Sequence, residues 1–440
     1  MPTVESGWEK INLPDFELSL FKAITTRPMR KAMDRDRSFM EQAISLARRS
    51  LPFAGINPPV GAIIVKDGAI IGQGFHRGPG TAHAEVAALL DAQKSLEADG
   101  KPFIGATLYC SLEPCCHCGG TKKTPPCTEA IIAARISRVV FASRDPNPMV
   151  SGKGASRLQE AGVTVEGGVL ADQGDELIEA FSVSIRLRRP FIRVKWAQSL
   201  DGRLACHGGA SRWITNNEAR MQARELRSRH DAVMIGAGTL RADDPELTVR
   251  DAPLLPELSS RQPLRVILGG RELLAMNARV FRPPLLAGTI VLAIRSSPAL
   301  AQCRSAGVRV REVASAPDGL ADLEESLRIL YSEGIGSVLV EGGSRLITAL
   351  LACGSWDVAT VFTAPLILGR GIEAIGDLGI QSPDAGIRFE KAQFEVGDGF
   401  LRFDARNPGG CSDTPDTKSQ NLAGRSEPVA VVREGSCSQD

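Results

Sequence analysis

The sequence predicts an α/β protein of two domains, on three observations. Helical and strand periodicities alternate along most of the chain, glycine-rich turns close several strand-like runs, and the alternation restarts after Arg188-Arg189-Pro190. The 440 residues suffice for two or three domains of roughly 150 residues each.

Residues 1–36 carry mixed charge without a sustained period and read as a poorly ordered N-terminal extension, with Met33 a candidate start. From Ser38, the stripe Phe39, Met40, Ala43, Ile44 and Ala47 predicts a helix. Val60–Val65 and Ala69–Phe75 read as strands around a Lys66-Asp67-Gly68 turn. A helix from His83 to Glu97, a strand at Ala106–Cys110 and a helix at Thr128–Arg135 follow. Arg138–Ala142 is a strand stopped by Asp145-Pro146-Asn147-Pro148, and a helix, a strand and a helix fill Ala155–Leu187. The first domain therefore spans 37–188 and the second 189–405, opening with a strand at Phe191–Ala197. Thr215 and Glu218 have capping-box spacing for a helix through Arg227. Strands are expected at Ala232–Gly236, Leu264–Leu268, Ser337–Glu341 and Val358–Thr363, and Asp398-Gly399 closes a last hairpin. Residues 406–440, rich in Gly, Ser, Asp and Pro, read as a disordered tail.

Composition narrows the function. Lys and Arg total 52 against 51 Asp and Glu, and the chain has 2 Tyr and 4 Trp. It lacks the cationic footprint and the stacking platforms of a nucleic-acid binder. No apolar run approaches the ~18 residues of a membrane span, and the N-terminus has no basic-then-apolar leader, so a cytoplasmic location is expected. Of the 10 Cys, Cys110, Cys115, Cys116, Cys118 and Cys127 cluster, which in a reducing compartment favours metal binding over disulfides.

The metal constellation is specific. His83-Ala84-Glu85 opens a helix, Glu113-Pro114-Cys115 follows a strand, and Pro125-Pro126-Cys127 opens another helix. One His and two Cys give zinc three protein ligands and leave a fourth position for water, the mark of a catalytic rather than a structural site. Zinc lowers the pKa of such a water toward ~7. Glu85, at the same helix start as His83, can take the water's proton and pass it to a leaving amine. Cys127 at a helix N-terminus should gain thiolate stability from the dipole. Together this is the zinc-deaminase arrangement, in which hydroxide attacks an amidine-like ring carbon. A structural zinc knot of Cys115, Cys116, His117, Cys118 and Cys127 is the bland alternative, but it leaves Glu85 without a role.

The ordered series Asn57-Pro58-Pro59-Val60-Gly61, Val65-Lys66-Asp67-Gly68, His76, His83-Ala84-Glu85-Val86, Leu112-Glu113-Pro114-Cys115, Thr124-Pro125-Pro126-Cys127 and Asp145-Pro146-Asn147-Pro148 resembles the deaminase half of the bifunctional riboflavin-biosynthesis deaminase–reductases. The resemblance implies a cytidine-deaminase-like three-layer α/β/α domain. It also implies hydrolytic removal of the 2-amino group of 2,5-diamino-6-ribosylamino-4(3H)-pyrimidinone 5′-phosphate. Zinc would sit on His83, Cys115 and Cys127, with Glu85 as proton shuttle. Asn57, His76, His117 and Lys123 are weaker candidates for ring or phosphate contacts. One departure is a longer gap between Cys115 and Cys127, with extra residues around Gly119–Lys123. A surface insertion of that kind costs little.

In the second half, Gly236-Ala237-Gly238-Thr239 and Glu341-Gly342-Gly343-Ser344 are strand-to-helix turns able to bring backbone N–H groups to phosphates, and neither is a dinucleotide fingerprint by itself. Arg220, Arg224 and Arg227 recur at helical spacing, and Trp213 suits either a core or a stacking role. Lys195 through Arg203, Ser211 through Thr215, Ile235 through Thr239, Ala242 through Arg250 and Val340 through Gly343 are similar to the family's reductase half. This implies a dihydrofolate-reductase-like α/β domain using NADPH to reduce the opened ribose to a ribityl chain. By position, Ala197, Trp213, Thr239, Asp243, Gly343, Ser344 and Arg345 should meet NADPH. Ser211, Arg227, Leu247, Arg250 and Glu341 should meet substrate, with the arginines on its phosphate. Lys195, Asp201 and Asp243 are the titratable candidates for the proton source. A second departure is Leu268-Gly269-Gly270, where relatives often carry Asp.

The expected protein is thus a bifunctional zinc hydrolase and NADPH oxidoreductase acting on a small phosphorylated pyrimidine, without nucleic-acid or membrane partners, and with homo-oligomerisation left open. The alternative is a zinc deaminase of another nucleobase-like substrate whose second domain senses nucleotide without catalysis.

Overall fold

The computed structural model describes residues 27–95, 103–117, 125–250, 262–317 and 319–409. The first helix is Arg27–Arg48, so it begins within the stretch expected to be a poorly ordered extension. It is tied down by a buried network: Asp36 accepts from Tyr109 Oη at 2.6 Å and from both Arg138 terminal nitrogens at 2.9 and 2.8 Å.

Strands β1 (Gly61–Lys66), β2 (Ala69–Phe75), β3 (Thr107–Leu112), β4 (Arg138–Ser143) and β5 (Thr164–Gly167) form a sheet in the order β2-β1-β3-β4-β5. β2, β1 and β3 run antiparallel, whereas β3, β4 and β5 are parallel. Alternate residues of β1 feed different cores, because successive side chains of a strand point to opposite faces. Ile63 and Val65 pack with Met40 and Ile44 of the first helix. Ala62 and Ile64 pack with Ala84, Ala88 and Ile131 from helices Ala84–Ser95 and Cys127–Ala133. The result is three layers. A short helix Leu51–Ala54 follows the first, and after β4 come Lys153–Glu160, Ala171–Leu177 and Glu179–Leu187, three helices where two were expected.

The second sheet has nine strands in the order β11-β10-β9-β8-β12-β6-β13-β16-β15. β6 (Phe191–Ser199), β8 (Ala232–Gly236), β9 (Leu264–Leu268), β12 (Ser337–Val340) and β13 (Val358–Ala364) lie within a residue or two of expectation. β10 (Thr289–Ile294) and β11 (Arg309–Val313) extend the sheet beyond the expected strands, and β7 (Arg203–Cys206) pairs with β14 (Gly371–Glu373) outside it. The strands from β11 to β13 are parallel, and the hairpin β15 (Glu390–Gly397) and β16 (Phe400–Arg406) closes one edge antiparallel. Ala232 and Met234 face one apolar core, Val233 and Ile235 the other. Helix Asn217–Ser228 is capped by Asn216, whose side chain accepts from Ala219 N at 3.0 Å. This corrects the Thr215 cap by one residue; the amide oxygen of Asn216 makes the same bond that a hydroxyl would.

The approach of helix Ala84–Ser95 to the first sheet decides where the metal cluster lies. Ala84, Ala88 and Ala92 are fully buried on β2, opposite Gly72 and Gly74. A Cβ on Gly74 would stand 2.5 Å from Ala88 N, and one on Gly72 would stand 2.4 Å from Ala88 O. Gly74→Ala should therefore destabilise the first domain by about 1–3 kcal/mol, the usual cost of overpacking. Urea denaturation followed by a signal from that domain measures it, and an unchanged midpoint would contradict the close contact.

Candidate functional site

The C-terminal end of β3 and two helix starts supply the metal cluster. His83 immediately precedes helix Ala84–Ser95 and its carbonyl accepts from Ala87 N at 2.9 Å, which fixes the imidazole at the helix entrance. Cys115 lies just beyond β3, and Cys127 is the first residue of Cys127–Ala133. His83 Nδ1 lies 3.5 Å from Cys115 Sγ and 3.2 Å from Cys127 Sγ, and the three donor atoms all fall within 4.8 Å of one another. A tetrahedral ion with bonds of about 2.0–2.3 Å has ligand edges of roughly 3.5 Å, so the donor set fits zinc in both spacing and chemistry. Contact with Cys115 and burial push the Cys127 thiol well above its ordinary pKa. The helix-dipole benefit expected for Cys127 is opposed by its own burial and by the adjacent Cys115 sulfur, a conflict that a divalent cation relieves.

Glu85, 4% exposed, sits in the first turn of the His83 helix. Burial raises its pKa, and the nearby Cys115 adds to the rise. His76 is brought to the same place: its ring lies edge-on to His83 at 5.4 Å, with Nδ1 3.4 Å from Ala82 O. Burial lowers its pKa, keeping the ring neutral. His117 is half-buried two residues after Cys115. Asn57 lies in the loop before β1, where its N–H donates to Ala54 O at 2.9 Å. Lys123, Cys118 and the Gly119–Lys123 insertion fall outside the described residues.

In the second domain the candidates gather at the C-terminal ends of β6, β8 and β12, where ligands bind in open α/β sheets. Arg227 grips Glu341 in a two-pronged pair at 2.6 and 3.0 Å and donates its third nitrogen to Thr248 O at 2.9 Å. Lys195 Nζ lies 3.8 Å from the same carboxylate. Glu341 is held down at about 2, since Arg227 and Lys195 overcome the burial that would raise it. Burial lowers the Lys195 pKa. Ala197 is the next inward step along β6, partly buried against the second core.

The two glycine turns lie side by side: a Cβ on Gly343 would stand 3.1 Å from Thr239 Oγ1, and Gly236 and Gly238 face open space. Neither helix after these turns, Ala237–Asp243 or Ser344–Cys353, has a side-chain N-cap, so their first N–H groups are available to an anion. Ser344 and Arg345 open the second of them, and Arg345 is exposed. These features fit a nucleotide pyrophosphate. Ser211 and Arg212 meet Asp243, whose pKa burial raises. Trp213 is 67% exposed with the Arg220 guanidinium 4.2 Å over its ring, which removes the core reading and leaves the stacking one.

Two candidates change character. Asp201 accepts from Ser199 Oγ at 2.6 Å, from Leu368 N at 3.1 Å and from Gly369 N at 2.7 Å, and these bonds bring its pKa to about 2. It ties the loop after β6 to the loop after β13 and is no proton source at neutral pH. The Leu247 side chain is 2% exposed and packed in the second core, so only its backbone is left to face a ligand. Arg250 pairs with Glu246, which also accepts from Arg279 at 2.9 Å; Arg279 further holds Asp244 O at 2.8 Å. Sequence reasoning missed Arg279, whose only signal is a cation distant in the chain from the loop it braces.

Residues 33–143 match the cytidine and deoxycytidylate deaminase zinc-binding region, and residues 190–399 match the RibD C-terminal domain. The riboflavin biosynthesis protein RibD of Aquifex aeolicus is 40% identical over 369 residues, covering 84% of this chain and 98% of the relative. That of Escherichia coli is 37% identical over 342 residues, covering 76% of this chain and 89% of the relative. Acinetobacter baumannii RibD superposes with a TM-score of 0.73 at 36% identity, over 85% of this chain and 99% of that one. A Thermotoga maritima diaminohydroxyphosphoribosylaminopyrimidine deaminase/5-amino-6-(5-phosphoribosylamino)uracil reductase gives 0.72 at 36% identity, over 86% and 99%.

The metal cluster generates one prediction. Glu85→Gln should keep about one zinc per chain, because no ligand is changed. Ammonia release should fall by about 10²–10⁴-fold, the usual contribution of a positioned acid–base group. Metal analysis and an ammonia assay on one sample check both, and near-normal release would remove Glu85 from the chemistry.

Proposed function

The chain belongs to the bifunctional riboflavin-biosynthesis deaminase–reductase family, and from that premise we propose how its own residues carry the two activities. The protein is an enzyme that deaminates a pyrimidine precursor in a zinc-binding domain and reduces the product in an NADPH-using domain. The observation that carries the first assignment is the meeting of His83 Nδ1 with two cysteine sulfurs beside a buried carboxylate.

In the first domain, His83, Cys115 and Cys127 hold the zinc, which supplies an activated water at neutral pH. Glu85, with its pKa raised by burial, accepts a proton and delivers it to the departing ammonia. His117, Asn57 and His76, the last neutral against His83, are ring or phosphate contacts. The substrate is 2,5-diamino-6-ribosylamino-4(3H)-pyrimidinone 5′-phosphate and the product 5-amino-6-(5-phosphoribosylamino)uracil.

In the second domain, Ala197, Trp213, Thr239, Asp243 and the Gly343-Ser344-Arg345 turn bind NADPH, which supplies the hydride when bound. Ser211, the Leu247 backbone, Arg250, Arg227 and Glu341 hold the substrate, with Arg250 on its phosphate. Of the three titratable candidates, Lys195 is the best placed proton source: it is buried beside an ionised carboxylate, whereas Asp201 is spent on a loop clasp. The product is 5-amino-6-(5-phospho-D-ribitylamino)uracil.

Near-zero net charge supports a small-molecule substrate over nucleic acid. Among the described residues no helix is long and apolar enough to cross a membrane; the proposed location is the cytoplasm. Phe394 and Val396, 67% and 85% exposed on the edge strand β15, support a homo-oligomer that covers them. The region 37–188 acts as the deaminase and 189–405 as the reductase.

Incubating the protein with the diaminopyrimidinone phosphate should yield a product one amino group poorer without NADPH, and the ribityl compound with it. Mass spectrometry reads both, and an unaltered starting compound would sink the assignment. The pH dependence separates the proton sources. Because burial lowers the Lys195 pKa, the reductase rate should fall on the alkaline side at a pH below the ordinary lysine value of 10.5. Lys195→Met should remove that limb, and Asp201→Asn should keep it. A profile indifferent to Lys195 would return Asp243 to consideration.

A further inference from the structure

Arg279 has no part in the chemistry assigned so far. It opens the short helical turn Arg279–Phe281, between Ala278 and Val280, both of which are buried in the second core. Its backbone is thereby fixed, and its side chain reaches across to another segment, Asp244-Pro245-Glu246. The Arg279 main-chain N–H donates to Asp244 Oδ1 at 2.7 Å. In the side chain, Nε and one terminal nitrogen donate to Asp244 O at 2.8 and 2.5 Å, and the other terminal nitrogen donates to Glu246 Oε1 at 2.9 Å. Asp244 ends helix Ala237–Asp243 in the left-handed region, at φ +43°, a conformation that persists in a residue other than glycine only where its surroundings enforce it.

The rest of this loop has supports of its own. Leu247 is buried in the same core, Arg227 donates to Thr248 O at 2.9 Å, and Val249 exchanges two bonds with the Gln262 side chain at 2.7 and 2.9 Å. Because Arg227 also grips Glu341, the loop borders the buried charge group of the reductase site. What Arg279 adds is the placement of one side chain. Glu246 offers Oε1 to Arg279 and Oε2 to Arg250, so a single carboxylate stands between two guanidiniums. Arg250 lies 3.4 Å from Thr248 Oγ1 as well, and about half of its side chain is exposed. An exposed pair of Glu246 and Arg250 alone would hold its cation loosely. A carboxylate gripped from behind presents that cation in one place. The charges act in the same sense: with Arg279 opposite, Glu246 is offset, and Arg250 keeps more of its attraction for an anion.

We propose that Arg279 is a positioning residue for the reduction, aiming Arg250 at the substrate phosphate through Glu246. This rests on the reductase reading above, in which Arg250 meets that phosphate. Arg279 itself touches neither substrate nor cofactor; its effect passes through one carboxylate. It therefore governs how tightly the phosphorylated end is held more than how fast hydride reaches the other end of the ribose.

The test is a double-mutant cycle in the full-length protein. Arg279→Met removes the guanidinium fork and keeps much of the apolar stem. The KM for 5-amino-6-(5-phosphoribosylamino)uracil, followed by NADPH oxidation, should rise at least about fivefold with kcat within about threefold, a split that a general loss of folding would not produce. Arg250→Ala should raise the same KM at least about tenfold. Adding Arg279→Met to Arg250→Ala should then change KM by less than about twofold, because the side chain being aimed is gone. A KM for Arg279→Met within about twofold of wild type overturns the proposal, and so do two effects that multiply, which would make Arg279 a general support of the domain. Should Arg279→Met not fold, Arg279→Lys is read in the same cycle, since an ammonium lacks the fork that spans Asp244 O and Glu246. Its KM should rise at least about threefold in the presence of Arg250 and stay unchanged in the Arg250→Ala background, and equal effects in both backgrounds overturn the proposal. If Arg250→Ala keeps the wild-type KM, the reading of Arg250 as the phosphate contact fails and takes this inference with it, an outcome distinct from a working Arg250 with an indifferent Arg279.

Discussion

The first domain is organised by one demand: an imidazole nitrogen and two sulfurs from three separate segments must meet within 4.8 Å, with a buried carboxylate alongside. Contact with the Cys115 sulfur and burial push the Cys127 thiol up, a conflict that a divalent cation held by the cluster would relieve. The surrounding architecture meets that demand with rigid parts. A strand end carries Cys115, and helix starts carry His83 and Cys127. Glycines on β2 let the His83 helix lie against the sheet at backbone distance. A bulkier strand would lift the helix and move His83 and Glu85 together away from the sulfurs.

The second domain solves a different problem. Hydride transfer needs positioning more than acid–base power, and the parallel strands β6, β8 and β12 bring their C-terminal ends to one edge. There the Arg227–Glu341 pair, with Lys195 beside it, forms a buried charge group whose carboxylate stays ionised. Arg227 also reaches Thr248, so the same side chain couples a strand end to the loop bearing Arg250. Asp201 performs a comparable service for the loops after β6 and β13. This domain thus spends carboxylates on backbone N–H groups or guanidinium partners in order to hold loops at its site, and keeps very few for chemistry.

Much of this was legible in the sequence, for physical reasons. Strands such as Ala232–Gly236 and Leu264–Leu268 are short apolar runs bounded by polar or glycine punctuation, and a buried parallel strand looks like nothing else at that length. The zinc set was legible because few donor combinations satisfy an open tetrahedral site, and because His-x-Glu at a helix start has little other purpose. Sequence alone also placed the open glycine turns ahead of helices Ala237–Asp243 and Ser344–Cys353, since such turns depend on local backbone freedom.

Tertiary structure decided what depends on partners remote in the chain. Asp201 could be acid or anchor until Leu368 and Gly369 arrived to donate to it. Leu247 read as a substrate contact until burial placed its side chain in the core, and Trp213 as core or platform until its exposure removed the core reading. Glu113 read as mere context for Cys115, although its carboxylate accepts from Gly152 N and Ala155 N at the start of helix Lys153–Glu160. Local chemistry writes elements and ligand sets into a sequence. Which carboxylate is held by distant N–H groups, and so loses its freedom to carry protons, is settled only when the strands close up.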